Sequence, residues 1–493
     1  MSLSFWKNYL VWVLLVGVLF IRLLWHGFAP IGLSGDETYY WDWSRRLAWG
    51  YFSKPPGIAW LNALLGWLSG QTAFGIKAGA AVLATAGVYF LFQAVRQIAN
   101  EKIAMATLLA VLVSPGNLLL GAFLTTDAPL VFCWNLGLWM AVRITMEQRA
   151  PRYVFVVLWL ALGLGALFKQ MMLVQIVLLW FGCGWLRRDV IRRWELSAAT
   201  LGSLLFLLPT LWWNQSNNWI TMEHTAHHFE AARLTVGAFF SRLGSLYGAT
   251  AMLLSPVLFV LCLSALWRVT ARLREAAIGE KFFWLWGALP FLVMSIMTLW
   301  QEVNPNWPAV YFPSLAALCA MVWMPRQLLW KRALLVGAGL SLVMMCLPFF
   351  METFYEMKWL KPQRRGWEGY DALAKVVDTY RQENDAVVAL GHRFCASQLA
   401  FHLRGKPFVW LWNEKPQVLS QYDLWPRLPL DRDAIIVLEQ SNPKQPAILP
   451  KAFSDAEFLI STPLHPARSE HQFLIYRLRR AKNIHIADDI SHP

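Results

Sequence analysis

At 493 residues, with 57% hydrophobic and only 15% charged side chains and a mean hydropathy of +0.41, the chain is too apolar for a soluble protein, in which about a quarter of residues are charged. The net charge of +14 does not point to nucleic acid, because most basic residues fall in short clusters between apolar runs, where they set membrane orientation. The six cysteines (Cys133, Cys183, Cys262, Cys319, Cys346 and Cys395) show no disulfide framework and no metal-ligand spacing, and all but Cys395 lie inside apolar runs.

In chain order, the first apolar run (8–28) follows Lys7. It is long for a signal-peptide core and no small-x-small cleavage pattern follows it, so it reads as an uncleaved first transmembrane helix. A polar stretch, 29–57, comes next. PGIAWLNALLGWLS (56–69) is apolar but short, and is expected to lie along the interface or to re-enter the membrane. Further apolar runs follow near 74–95, 103–122, 128–146, 153–168, 170–186, 196–213, 246–267, 282–300, 307–324 and 333–351. With the first, they make eleven expected spans.

With the N-terminus cytoplasmic, the inner connections carry seventeen Lys and Arg residues against seven on the other side up to the last span. That bias favours this orientation. An odd number of spans then places everything beyond about residue 352 outside, in the periplasm if the cell has a bacterial inner membrane of the Gram-negative kind.

From Lys358 on, charge and proline rise and no spanning run appears. YDALAKVVDTYRQEND (370–385) and SQLAFHLRG (397–405) read as helices, whereas AVVALG (386–391), PFVWLW (407–412), AIIVLE (434–439) and FLIYRL (473–478) read as short strands. The expected architecture is an all-α polytopic membrane domain, 1–351, followed by a small extracytoplasmic α/β domain, 352–493. The tail NIHIADDISHP is expected to be disordered.

On this topology the unusual polar residues gather at the outer face. The loop GLSGDETYYWDWSRRLAWGYFSKPPG (32–57) holds Asp36, Glu37, Asp42, Arg45, Arg46, Tyr51 and Lys54; TTDAP (125–129) holds Asp127; and Lys169 marks a short turn between two spans. The connection 214–245 includes His224, His227 and His228, and another outer turn reads QEVNPNW (301–307). Acid and base together at headgroup level suit one chemistry. A lipid-linked phosphate needs Lys or Arg partners, and an attacking hydroxyl or amine needs a carboxylate to take or orient its proton. The outer compartment lacks ATP and nucleotide sugars, so a donor must arrive already activated.

Simpler roles stay open for each residue. Asp36 fits a helix N-cap, Arg45 and Arg46 fit lipid-headgroup contacts, and Trp41, Trp43, Trp49 and Tyr51 fit an interfacial aromatic belt. Pro55 and Pro56 fit a helix start. The HxxHH of 224–228 lacks an obvious fourth metal ligand, and Arg22, inside the first span, must face protein or a polar cavity.

The loop GDETYYWDWSRRLAWGYFSKPP resembles the first outer loop of the GT-C glycosyltransferases of the family 39 and aminoarabinose-transferase type. In that loop an Asp-Glu motif follows the first span and two interfacial helices lead to a Lys-Pro-Pro. TTDAP, NPNWPAVYFPS and SQYDLWP are similar to further segments of bacterial relatives, so the resemblance covers most of the chain. It implies a multi-spanning GT-C fold, a polyprenyl-phosphate sugar donor and inversion at the anomeric carbon. It also implies roles: Asp36 as the principal catalytic carboxylate, Asp127 as a second outer acid, Lys54 and Tyr51 as donor-phosphate contacts, and Lys169 as a further cation facing the cavity. Glu37 completes the acidic pair, and Arg45 and Arg46 join the phosphate-binding set. Aminoarabinose transferases carry a glutamate just before the lysine, where it helps to hold a metal. Here that position is Ser53, so no metal cofactor is firmly expected.

The resulting expectation is an inverting hexosyl or pentosyl transferase acting on lipid A, another glycolipid or glycan, or protein. A transporter or flippase of a lipid-linked sugar is the main alternative, although such proteins place polar sites near the bilayer midplane on broken helices with internal repeats. A protein O-mannosyltransferase is the alternative among transferases.

Overall fold

The computed structural model describes residues 3–227, 235–304, 306–351, 353, 369–413, 417–426, 428, 432–440, 449–465 and 468–479. The chain forms two compact units, one of Met1–Ala29, Ala48–Gly50 and Lys54–Leu347, the other of Pro30–Leu47, Tyr51–Ser53 and Pro348–Pro493. The first nine helices are α1 (Leu3–Phe28), α2 (Gly35–Ser44), α3 (Gly57–Ser69), α4 (Ala73–Ile98), α5 (Glu101–Leu112), α6 (Pro115–Ala122), α7 (Asp127–Met146), α8 (Arg152–Phe168) and α9 (Leu173–Leu186).

The first unit is helical and built for a bilayer. Among the described residues, Tyr9–Phe28, Ala73–Ile98, Asp127–Met146, Trp194–Ser216, Ile278–Met297 and Gln327–Phe350 are long and apolar enough to cross it. Two bent pairs supply further spanning lengths, while Gly57–Ser69, Arg152–Phe168, Gln170–Leu186 and Pro308–Trp323 are apolar but shorter. The protein is therefore a multi-pass membrane protein. Its interior is a continuous apolar cluster drawn from α1, α4, α5 and α7–α9 and from helices beyond them as far as Ala333.

Arg22 shows how a charge is accommodated inside a span. Its guanidinium donates to Thr85 Oγ1 at 2.9 Å and to the Asn117 carbonyl at 3.1 Å, tying α1 to α4 and α6. Gly121 leaves room for it, since a Cβ there would lie 2.9 Å from the guanidinium carbon. A buried Arg satisfied this way is a structural tie between helices.

Two segments expected as continuous spans are broken. The run 103–122 bends by 64° between α5 and α6, where Ser114 caps Asn117 N and Pro115 removes a backbone donor. The run 246–267 bends by 113° between Val236–Leu254 and Pro256–Ala271. Its corner residue, buried Ser255, has φ 83° and ψ 145°, a conformation essentially reserved for glycine.

The second unit carries a five-stranded sheet of β1 (Ala386–Leu390), β2 (Val409–Trp412), β3 (Ala434–Gln440), β4 (Glu457–His465) and β5 (Arg468–Leu478), in the order β2-β1-β3-β5-β4. β1 runs parallel to both β2 and β3, and β5 is antiparallel to β3 and β4. Helix Arg393–His402 joins β1 to β2, and helix Tyr370–Tyr380 precedes β1. Four strands and both helices lie where the sequence pattern predicts them, with shifted ends. β4 is the unexpected strand: it sits at the edge, is irregular beside Pro463, and lacks the continuous apolar run of a central strand. The segment 483–493, expected to be disordered, lies outside the described residues.

α2 belongs to this unit and docks on the helix Arg393–His402. Gly35 presses against the Phe394 ring so closely that a Cβ would fall 2.4 Å from it. Thr38 Oγ1 and Ser397 Oγ are 2.9 Å apart, and Gln398 Nε2 donates to the Leu33 carbonyl at 2.8 Å. Further along, Asp42 accepts from Tyr422 Oη at 2.8 Å and from Arg45 Nη1 at 2.9 Å. Burial pushes the Asp42 carboxyl above the usual carboxylate range, with Arg45 and the Tyr422 hydroxyl pulling the other way.

Two outcomes follow from this packing. Ser255→Gly keeps the corner, loses a cap worth only a few tenths of a kcal/mol relative to glycine, and relieves strain of about 1–3 kcal/mol. Its thermal unfolding midpoint in detergent should rise; a fall would show that the corner is unstrained. For Asp42, the folded state binds the proton more tightly than the unfolded chain. Its contribution is therefore full below the ordinary carboxylate range and is lost as pH rises through the raised value. Asp42→Asn should flatten that part of the midpoint-versus-pH curve, and a wild-type slope in the variant would remove Asp42 as its source.

Candidate functional site

The residues singled out in the sequence fall into two groups, one in each unit. In the second unit, SGDE (34–37) starts α2 with a capping box: Ser34 Oγ accepts from Glu37 N at 3.3 Å, and Glu37 Oε2 accepts from Ser34 N at 2.8 Å. The N-cap role open to Asp36 is thus filled by Ser34, and Glu37 is buried in the cap. Asp36 sits at the second helical position, half-buried among buried neighbours. There its side chain lies at the positive end of the helix dipole.

The rest of the loop holds its own shape. Arg45, besides pairing with Asp42, donates to the Lys406 carbonyl at 2.6 Å and to the Pro407 carbonyl at 3.2 Å. Arg46 lies over the rings of Phe408 (3.9 Å) and Trp425 (4.5 Å), and burial lowers its pKa. Tyr51 is fully buried, its ring stacked on Trp43 at 4.5 Å and its hydroxyl donating to the Trp43 and Arg46 carbonyls at 3.2 and 3.1 Å.

SQYDLWP, noticed in the sequence only as a family segment, supplies the other side of this packing. Gln421 N donates to Tyr39 Oη at 2.6 Å, Gln421 Oε1 accepts from Phe52 N at 2.7 Å, and Tyr422 holds Asp42. The hydrophilic letters of that motif are therefore fasteners for the loop that carries Asp36.

In the first unit, three connections converge. Asp127 is the first residue of α7, and Lys169 caps the C-terminus of α8; the two pair at 2.8 Å. Asp127 also accepts from Asn306 Nδ2 at 3.3 Å through its second oxygen. Acid at a helix N-terminus and base at a C-terminus each match the local dipole. Lys169 is buried, so its ammonium sits where a charge interaction is little screened.

The Lys54-Pro55-Pro56 turn enters α3 beside this cluster. Gly57 packs so tightly on the end of α8 that a Cβ would come within 2.7 Å of the Leu167 carbonyl oxygen. Lys77, buried in α4, lies 4.9 Å from the Phe123 ring, just ahead of TTDAP. Asn306 had no individual signal in the sequence beyond its place in NPNW; its role needed the tertiary contact to appear.

Among the described residues, no three His, Cys, Asp or Glu side chains gather as a metal site. Ser53 offers a hydroxyl in place of a carboxylate, and in the other unit Asp127 is paired with a lysine, so neither residue fits a ligand for a divalent ion. His224 lies in the helix Ile220–His227, whereas His228 falls outside the described residues.

Residues 53–213 match the family described as dolichyl-phosphate-mannose-protein mannosyltransferase. The lipid A galacturonosyltransferase RgtD of Rhizobium johnstonii is 26% identical over 333 residues, 65% of this chain and 66% of that protein, a match just short of two thirds of the relative's length. Among solved structures, ArnT from Cupriavidus metallidurans bound to undecaprenyl phosphate superposes with a TM-score of 0.64 at 14% identity, covering 97% of this chain and 98% of that one. The same protein in the apo state gives 0.65 at 15% identity over the same shares. At such identity the likeness shows the fold. The chain is thus similar in sequence to glycosyltransferases over part of its length and shares the fold of ArnT.

Proposed function

We propose that this protein is an inverting glycosyltransferase that moves a sugar from a polyprenyl-phosphate donor to a glycolipid acceptor at the outer face of a bacterial cytoplasmic membrane. The observation that carries the reading is the meeting of Asp127, Lys169 and Asn306 from three separate connections, with the Lys54 turn packed beside them. The relative that acts on lipid A and the fold neighbour bound to undecaprenyl phosphate support the substrate classes. The bias of the basic residues supports an orientation in which these connections and the chain beyond residue 352 face the periplasm.

In this reaction the acceptor hydroxyl oxygen attacks the anomeric carbon from the face opposite the phosphate. The new C–O bond forms as the bond from carbon to the phosphate oxygen breaks, which inverts the centre. Asp36 takes the hydroxyl proton, and polyprenyl phosphate leaves as a monoester with one more negative charge than it carried in the donor. Lys54 and Lys169 balance that charge, and Asp127 with Asn306 fixes the Lys169 ammonium. Glu37, Arg45, Arg46 and Tyr51 act through the shape of the loop. A flippase would bind the same donor but leave the glycosidic bond intact.

Asp36→Asn should lower transfer by about 10²–10⁴-fold, the usual worth of a positioned base, with donor binding retained. Lys54→Ala should cost about 10²–10³ in rate, typical of one lost preorganised donor to a developing anion. Gly57→Val, which forces the Lys54 turn off α8, should reproduce the Lys54→Ala defect. The deciding experiment is lipid analysis of cells lacking the gene against cells carrying wild type or Asp36→Asn. Accumulation of a polyprenyl-phosphate sugar, with loss of one matching glycan residue in both deficient strains, is the expected result. Unchanged donor and glycans would overturn the transferase reading.

A further inference from the structure

The sheet of the second unit has a cleft of its own, lined by none of the residues given a role above in transfer, although its Arg393 rests against Tyr39 of α2. It encloses about 180 Å³ at the carboxyl ends of β1 and β2, where Leu390 and Trp412 pair in register. Its walls include His392, Arg393, Trp412, Asn413, Ser420 and Asp423. In open parallel sheets ligands favour this end of the strands, beside the point where successive connections leave in opposite directions. Here β2 lies on one side of β1 and β3 on the other.

The chemistry of the walls narrows the ligand. Arg393 rests against the rings of Tyr39 (5.3 Å) and Phe394 (5.2 Å), and its Nε is buried with no hydrogen-bond partner among the described residues. Among the described residues, two carboxylates border the cleft and neither ion-pairs with Arg393: Asp423 Oδ2 accepts from Leu419 N, Ser420 N and Ser420 Oγ at 2.8–3.1 Å, and Glu439 Oε2 accepts from His392 N at 3.0 Å. His392 Nδ1 accepts from Phe394 N at 3.3 Å, capping the helix Arg393–His402. Trp412 adds an apolar face and an indole N–H with no acceptor among the described residues. A buried polar atom of this kind calls for an explanation. A cation in no ion pair, an aromatic face and an indole N–H together suit a sugar ring that bears a negative group.

We propose that this cleft binds an anionic sugar, a ring carrying phosphate or carboxylate, with Arg393 on the anion and Trp412 on the ring. Its assignment as the seat of the acceptor's charged headgroup rests on the function proposed above; binding itself does not.

The test is saturation-transfer NMR on the purified full chain in detergent with glucose 1-phosphate, using glucose and inorganic phosphate as controls. Wild type should bind glucose 1-phosphate at least tenfold more tightly than either control. Arg393→Gln should weaken that binding at least tenfold, Arg393→Lys less, and Trp412→Phe, which keeps the ring but loses the N–H, severalfold. If Arg393→Gln fails to fold, Trp412→Phe decides. Equal affinity for inorganic phosphate, or binding indifferent to both substitutions, would overturn the proposal. Displacement of glucose 1-phosphate by a lipid A-type disaccharide phosphate would identify a lipid headgroup as the source, and its failure to compete would assign a soluble sugar phosphate instead. Wild-type chain that binds glucose 1-phosphate yet transfers no sugar from a polyprenyl-phosphate donor would keep the cleft and sink the transferase reading.

Discussion

A charge removed from water must meet a partner, and that constraint organises both units of this protein. Arg22 inside a span binds a hydroxyl on α4 and a carbonyl on α6. Lys169 at the end of α8 meets Asp127 at the start of α7, and Asp42 in α2 meets Tyr422 and Arg45. Arg45 apart, which is three residues from Asp42, each partner is distant in sequence, so satisfying the charge also fixes the position of an element. A low-dielectric setting makes such contacts strong when complete and expensive when broken. The polar residues of a chain this apolar are therefore read best as placement devices first.

That reading divides the first loop into holders and a candidate reactant. Glu37 closes the capping box, Tyr51 bonds two carbonyls and stacks on Trp43, and Arg45 bonds Asp42 and two further carbonyls. The motif that looks most catalytic in one dimension, an Asp-Glu pair, therefore contains two residues of unlike situation. The signal for Glu37 was present in the sequence, because Ser-x-x-Glu ahead of a helix is a capping pattern.

Much of the fold was legible because its signals are local. Spanning runs, the basic clusters and the alternation of short strands and helices near the C-terminus rest on composition and period. The breaks at Ser114 and Ser255 were legible in principle, since Pro115 and Pro256 stand just after them, but apolar runs longer than 15 residues mask a corner. β4 escaped because an edge strand tolerates Pro463 and half-polar faces. The Asp127–Asn306 and Asp42–Tyr422 contacts join residues 179 and 380 positions apart, and no period or propensity encodes such a pairing. What the sequence showed was only that TTDAP, NPNW and SQYDLWP were unusual; what they do required the distances.

The Asp42 set is not explained by stability. Buried charge pairs are often replaceable by packed apolar side chains without loss, and α2 already has Trp41, Trp43 and Tyr39 for hydrophobic contact. Apolar contact alone, however, tolerates a small slide or rotation of a helix on its neighbour. The bond from Tyr422 does not, since a shift of one turn would take Asp42 from that donor, and Arg45 from the Lys406 and Pro407 carbonyls, in a site that burial already makes unfavourable for the Asp42 charge. Gly35 against Phe394 removes the remaining freedom at the other end, because the approach is too close for any side chain. Asp36 lies one residue beyond that contact, six before Asp42. A carboxylate fastened between two such points has a defined position and direction, which is what a proton acceptor needs and what an apolar interface would not provide.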